Sequence, residues 1–258
     1  ATTMVMEKLS FGLDTNFVSD PVIDDINDAN VAHIVKASEA MGEMIRRTRD
    51  QMQSTGSPVD GDAVMAALAA DLVDGVLDGL GGPAADAKMT ATAGVVSGQV
   101  LVEAMSNNLR VDGVIATAVM DQSIKTTHPG VKNSALTDSI RVTSGVLQQG
   151  RTMVAAARVL DTSANLATIA SIIDGLSADA TATSVEAVLP SDSSLELSGV
   201  VGMVPHASPE EIEAVNTVIA NGDINGKTNT PPAISGTPAG SVTAGATYSF
   251  QPSASDAD

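Results

Sequence analysis

The sequence predicts a mainly α protein: a multi-helix bundle over residues 1–221, a linker at 222–232, and a β segment at 233–258. Three observations carry this. Apolar residues recur at three- and four-residue spacing through most of the first 221 residues, the period of an amphipathic helix. The composition then breaks at a Gly-, Asn-, Thr- and Pro-rich stretch ending in Pro231-Pro232. Beyond it Thr, Val, Tyr and Phe alternate with Gly, Ser and Pro, with Tyr248 and Phe250 at the strand period of two.

The elements follow in order. Over 28–54, Ile34, Ala37, Met41, Met44, Ile45, Thr48 and Met52 form one stripe. Lys36, Glu39, Glu43, Arg46, Arg47, Arg49 and Asp50 form a face expected to be solvated. Gly56-Ser57-Pro58 ends this helix. A second helix over 60–80 places Met65, Leu68, Leu72, Val76 and Leu80 inward and stops at Gly81-Gly82-Pro83. Helices are expected over 86–108, where Gly94 and Gly98 weaken the pattern, and over 112–127, before the break at His128-Pro129-Gly130. Two more fill 134–161 and 164–177, the latter through Leu166, Ile169, Ile173 and Leu176. Residues 178–206, rich in Ser, Thr and Val, fit a short hairpin or an ordered loop. Ser208-Pro209-Glu210-Glu211 is the strongest local signal: a capping serine, a proline suited to the first helical position, and a glutamate three residues after the cap. Ile212, Val215 and Ile219 then face inward until Asn221-Gly222. Strands are expected near 233–236, 241–243 and 246–251.

Composition excludes whole classes of chemistry. The 258 residues hold 31 Asp+Glu against 13 Lys+Arg and no Cys, for a net charge of −18. Disulfides, thiolate nucleophiles and Cys-ligated metals are ruled out. Aromatic residues are 2% of the chain, so base- or sugar-stacking platforms have no material. Nucleic acid and anionic lipid are repelled by such a surface. The charge is skewed: residues 159–258 carry 12 acids and a single base, Lys227. A solvated surface suited to salty or extracellular conditions is one reading of that skew; a set of Ca²⁺ sites is the other. No run of apolar residues is long enough to span a membrane. The first residues lack the basic and apolar regions of a signal peptide, and no initiator Met is present. The chain therefore reads as a processed product or an interior piece.

The candidate motifs fail on count or context. Gly222-Asp223-Ile224-Asn225-Gly226-Lys227-Thr228 has three residues between its glycines where a phosphate loop needs four. Gly79-Leu80-Gly81-Gly82-Pro83-Ala84 fits a dinucleotide fingerprint in letters, but it follows a helix and reads as a helix stop. Asn221, Asp223, Asn225 and Gly226 open like an EF-hand loop, yet its bidentate Glu position is Pro232. His33 is placed on a helix at the surface or its boundary; His128 and His206 neighbour prolines in loops. No Gly-x-Ser-x-Gly elbow exists. Asp24, Asp25, Asp60 and Asp62 sit near helix starts, where carboxylates meet free amides. Asp223 has no such partner, which leaves it as a candidate calcium ligand.

The C-terminal segment carries a resemblance. Asn229-Thr230-Pro231-Pro232-Ala233-Ile234-Ser235-Gly236-Thr237-Pro238, then Val242-Thr243-Ala244-Gly245-Ala246-Thr247-Tyr248-Ser249-Phe250-Gln251-Pro252, then Ala254-Ser255-Asp256-Ala257-Asp258 resembles the opening of bacterial Ig- or cadherin-like repeats. Those repeats recur in very large secreted and surface-anchored, adhesin-like proteins. The resemblance implies the first strands of an Ig-like β-sandwich, with Ca²⁺ ligands at Asp256 and Asp258. Residues Glu7-Lys8-Leu9-Ser10-Phe11-Gly12-Leu13 are similar to a phrase in the helical modules that precede such repeats. The expected function is non-enzymatic: a structural or interaction segment of a secreted or cell-surface protein, used in adhesion, matrix or filament assembly. Its expected partners are other subunits or surface components, including further copies joined into a homo-oligomer or filament by strand addition, with no nucleic acid and no membrane insertion. Two alternatives stand beside it: a ligand- or peptide-binding helical module, and an accessory domain of a secreted hydrolase.

Overall fold

The computed structural model describes residues 8–9, 11, 23–105, 109–116, 124, 126, 128, 141–142, 144–160, 164–176, 180–181, 198–221, 233–237, 241 and 249–255. They are mainly helical. The helices are α1 (Val31–Ser54), α2 (Gly61–Asp71), α3 (Ala87–Met105), α4 (Ser144–Leu160), α5 (Ala164–Gly175), α6 (Ser198–Met203) and α7 (Pro209–Asn221). Three two-residue to three-residue strand pairs accompany them: β1 (Arg110–Val111) with β2 (Val114–Ile115), β3 (Arg141–Val142) with β4 (Ala180–Thr181), and β5 (Ala233–Ser235) with β6 (Ser253–Ser255).

The organising element is α3. Its sequence is apolar or small on every side, and such a helix is stable only when surrounded. It is buried from Met89 to Met105 at nearly every position, with α1, α2, α4, α6 and α7 around it. Gly94 and Gly98, one turn apart, make the close approaches possible. A Cβ on Gly94 would lie 2.6 Å from Ile219 Cδ1 of α7, and one on Gly98 would lie 2.9 Å from Met153 Cβ of α4. Glycines that weaken helix propensity thus set the spacing of the bundle.

Helix α1 packs along α3, and its inner side follows the expected stripe at Met44, Thr48 and Met52. The polar side departs from expectation. Lys36 and Glu43 are 1% and 2% exposed, and His33 is also buried rather than at the surface. The reason is that α1 is enclosed on more than one side, by α3, α2 and the β1–β2 hairpin. Phe11 is fully buried in the same core.

Helix α2 is shorter than its pattern predicts. It is capped by Asp60, whose carboxylate accepts the Ala63 N–H at 2.8 Å. After Asp71 it tightens into a 3₁₀ turn and ends at Gly75, which takes a left-handed φ of 96°. Beyond that point Leu77 is buried while Leu80 stands exposed, the reverse of the expected register. Gly81-Gly82 is therefore no helix stop. It folds back on the end of α2, so tightly that a Cβ on Gly81 would clash with the Asp71 carbonyl.

Two further expectations are corrected. The expected 112–127 helix begins instead in a hairpin, with Asp112 at φ 49° and Gly113 at φ 79° forming its left-handed turn. The expected 134–161 helix starts at Ser144, after strand β3. Residues 178–206, read as hairpin or loop, supply β4, then α6 and a 3₁₀ turn at Val204–His206; β4 pairs antiparallel with β3. The capping box forms as expected. Ser208 N–H donates to Glu211 Oε2 at 2.7 Å, and Glu211 N–H donates to Ser208 Oγ at 3.2 Å. Ile212, Val215 and Ile219 are buried against α3 and α4.

In the C-terminal segment β5 and β6 pair antiparallel, Ile234 opposite Ala254. Residues 249–251, expected as strand, are not; the ladder starts after Pro252, which has no N–H to give it. The Phe250 ring covers Gly236. No second sheet faces this ribbon among the described residues, so the expected Ig-like sandwich is not supported. Strands of three residues are too short and too few to form one.

Candidate functional site: a buried ion network between α1 and α3

Helical spacing puts Glu43, Arg46, Arg47 and Asp50 on adjoining positions of α1, three and four residues apart. Opposite them α3 presents Glu103. Arg47 is the hinge of the arrangement. Its Nε donates to Glu43 Oε1 at 2.7 Å, while Nη1 and Nη2 grip Glu103 at 3.0 and 2.7 Å. Nη2 also donates to the Arg110 carbonyl at 3.0 Å, tying the β1–β2 hairpin to both helices. Arg46 donates Nε to Glu43 Oε2 at 2.8 Å and Nη1 to Asp50 at 2.9 Å, and Arg49 completes the row on Asp50.

The electrostatics follow from this wiring. Burial pushes the Glu43 carboxyl up, but hydrogen bonds and charge from Arg46 and Arg47 outweigh it and hold it below the ordinary carboxylate range. Donation to the Glu43 carboxylate raises the Arg46 pKa, and burial lowers that of Arg47 but is outweighed by its bonds and charge pairing with Glu103 and Glu43. A carboxylate held ionised carries no proton to donate, and both oxygens of Glu43 are engaged by guanidinium N–H groups. The arrangement works as a clamp: a fork-to-fork Arg–carboxylate bond between helices, closed over by a hairpin.

A second buried acid behaves similarly. Asp71, fully buried at the end of α2, accepts the Gly81 N–H at 3.1 Å and the Thr90 hydroxyl at 3.1 Å. It pins the Gly79–Gly82 segment to α2 and α3. The loop amide that a dinucleotide phosphate would need is thereby spent within the protein. The interior gap between Leu9, Met44, Leu68, Thr90, Ser97 and Met153 has a volume of about 10 Å³, room for a single water and too small for an organic ligand.

Among the described residues, those singled out in the sequence do not converge. Asp223, Asp256 and Asp258 lie outside the described residues, as does the linker. Among the described residues no group of three or more His, Asp or Glu stands together as a metal site. His33 is buried on α1, His206 is exposed after α6, and His128 places Nδ1 3.4 Å from Asp28 Oδ1. Asp60 caps α2, and Asp25 contributes its carbonyl to the Asn27 and Asn30 side chains ahead of α1. Asp86, not singled out, caps α3 through the Met89 N–H at 2.9 Å. Glu103 and Asp71 were also missed. For Glu103 the signal was a lone acid in an otherwise apolar helix, which marks a partnered, buried carboxylate.

No protein-family model, curated protein or solved structure matches the chain. Among the described residues, no helix is long and apolar enough to cross a membrane.

Proposed function

We propose that the chain is a non-enzymatic structural and interaction segment of an extracellular or cell-surface protein, serving adhesion, matrix or filament assembly. The observation that carries this reading is the repeat-like phrase over residues 229–258, which follows an acidic, Cys-free helical body. The interior charges of that body support it further: Glu43 and Asp71 are consumed in holding elements together. In this reading the helical body spaces or anchors repeats, and the β5–β6 segment belongs to an Ig-like repeat completed by further strands. Those strands come from the same polypeptide or from another copy by strand addition. Calcium held through Asp223, Asp256 and Asp258 belongs to the same proposal, since carboxylates free of helix-start amides are suited to it.

Immunodetection of the native protein in fractionated source cells tests the reading. Recovery in the secreted or surface fraction, and labelling of intact cells by a membrane-impermeant amine reagent, is expected. Confinement to the cytosolic fraction overturns it. Calcium is checked apart from location: calorimetric titration of the native full-length protein with Ca²⁺ should show binding that disappears when the three aspartates are changed to asparagine.

A further inference from the structure

Helix α2 is apolar on both sides. Its inner side, Val64, Ala67 and Leu68, enters the core. Its outer side leaves Met65 and, just past the helix, Val73 at 53% and 74% exposure, with Ala66 and Ala69 exposed between them. Leu80, 65% exposed, stands by the C-terminal end of α2, because Gly81 and Gly82 fold back against the carbonyls of Asp71 and Ala70. Apolar side chains gathered in this way mark an interaction site, whereas single exposed ones do not.

The charge around the face states what would cover it. Residues 51–87 contain six aspartates and no Lys, Arg or His. Asp62 and Asp74 lie exposed along the stripe, and Asp78 is half-buried beside Leu80. A second copy presenting the same face would bring acid against acid. An anionic bilayer is repelled for the same reason. The small Ala66 and Ala69 lie exposed between the larger Met65 and Val73, and small side chains let another helix approach at about 8–10 Å.

We propose that the outer face of α2, through Met65, Ala69, Val73 and Leu80 within its aspartate rim, docks an amphipathic helix whose apolar stripe is edged by Lys or Arg. This goes beyond the function proposed above and does not depend on where the protein resides.

The methionines provide the readout. Met65 is exposed on this face, Met203 is 48% exposed on α6, and Met44 is 1% exposed in the core. The full chain is treated with dilute peroxide, with and without a synthetic 18-residue Leu/Lys amphipathic peptide, and sulfoxide is followed at each methionine by mass spectrometry. The Leu/Lys peptide should slow oxidation of Met65 about fivefold or more and leave Met203 unchanged, and a Leu/Glu peptide of the same pattern should do neither. A Met65→Gln/Val73→Gln variant keeps every charge and should bind the Leu/Lys peptide at least about tenfold more weakly. Equal protection of Met65 and Met203, or undiminished binding by that variant, would mean diffuse attraction to an acidic surface and would overturn the proposal. So would absence of binding, or protection of Met65 by raised protein concentration alone, which would make the occupant a second copy. Unchanged slow oxidation of Met44 establishes that the variant is folded.

Discussion

Helices α1 and α3 lie against each other and solve the burial problem in opposite ways. α3 removes side chain: glycine, alanine, threonine and valine let five helices approach, and its lone acid, Glu103, sits near the end. α1 keeps its charges and pairs them around one buried carboxylate, with Glu43 between Arg46 and Arg47. The first solution depends on volume and fails when a methyl group is added. The second depends on complete pairing and fails when one partner is removed, because an unpaired charge left in the interior costs far more than the intact pair contributes.

That contrast is broken hardest at Glu43. Glu43→Ala removes the buried carboxylate that joins the two guanidinium groups, leaving Arg46 on Asp50 and Arg47 on Glu103, and the expected loss is about 1.5–3 kcal/mol in urea denaturation. Glu43→Ala/Arg47→Met should be less unstable than the sum of the two single variants, because each removes the same Glu43–Arg47 bond, even though the Arg47 change also strips Glu103 of its fork. A double variant as unstable as the sum of its parts would show that the charges are not coupled and that α1 is held by its apolar stripe alone.

How far the sequence reveals these two helices depends on what each residue's environment owes to its own segment. The span of α1, the Gly56-Ser57-Pro58 stop and the Ser208–Glu211 box are local patterns, and each is found where it was read. Burial of Lys36 and Glu43 is set by neighbours far along the chain: α3, α2 and a hairpin that closes over the polar face. Periodicity sees one apolar stripe and assigns the opposite face to water; it has no access to a helix enclosed on several sides. The glycines of α3 show the same limit. Read alone they lower helix propensity, whereas the contacts with Ile219 and Met153 that make them useful come from α7 and α4. Asp112-Gly113 is different, because its hairpin signal is local and was overridden by the apolar pattern around it. The candidate ligands Asp223, Asp256 and Asp258 came from composition and resemblance, and neither places side chains in space.

Acid separates the two helices by their chemistry. Glu43 is held below its ordinary value of 4.5 in the folded protein. A carboxyl with a lowered folded pKa contributes stability that is complete above the ordinary value and is lost as pH falls through the folded one. Stability should therefore decline below about pH 4.5, and the decline should be shallower in Glu43→Gln, whose amide does not titrate. Urea midpoints measured at steps from pH 7 to pH 3 give both curves. Parallel curves for the two proteins would assign the acid loss to other carboxylates and remove Glu43 from the account.

The smallest effects are expected in α3, and they differ in sign. Alanine at either glycine raises helix propensity by about 1 kcal/mol. At Gly98 the added methyl would stand 2.9 Å from Met153 Cβ, with the α4 backbone at 3.7 Å behind it, so the helices themselves must separate. Overpacking of that kind costs about 1–3 kcal/mol, and Gly98→Ala should lose up to about 2 kcal/mol net. At Gly94 the obstacle is Ile219 Cδ1, the far end of a side chain that can turn to another rotamer, and the next atom is 3.7 Å away. Gly94→Ala should be neutral or gain up to about 1 kcal/mol. The same variant in an Ile219→Val background, where Cδ1 is absent, should recover the whole propensity gain. Thermal unfolding resolves the pair, since about 1 kcal/mol moves the midpoint of a chain this size by about 2–4 °C. Equal losses at both glycines would mean that α3 tolerates no added volume anywhere along the helix. Equal gains would mean that the approach at Gly98 is looser than 2.9 Å implies, and the spacing of α3 and α4 would then rest on the side chains around the glycines.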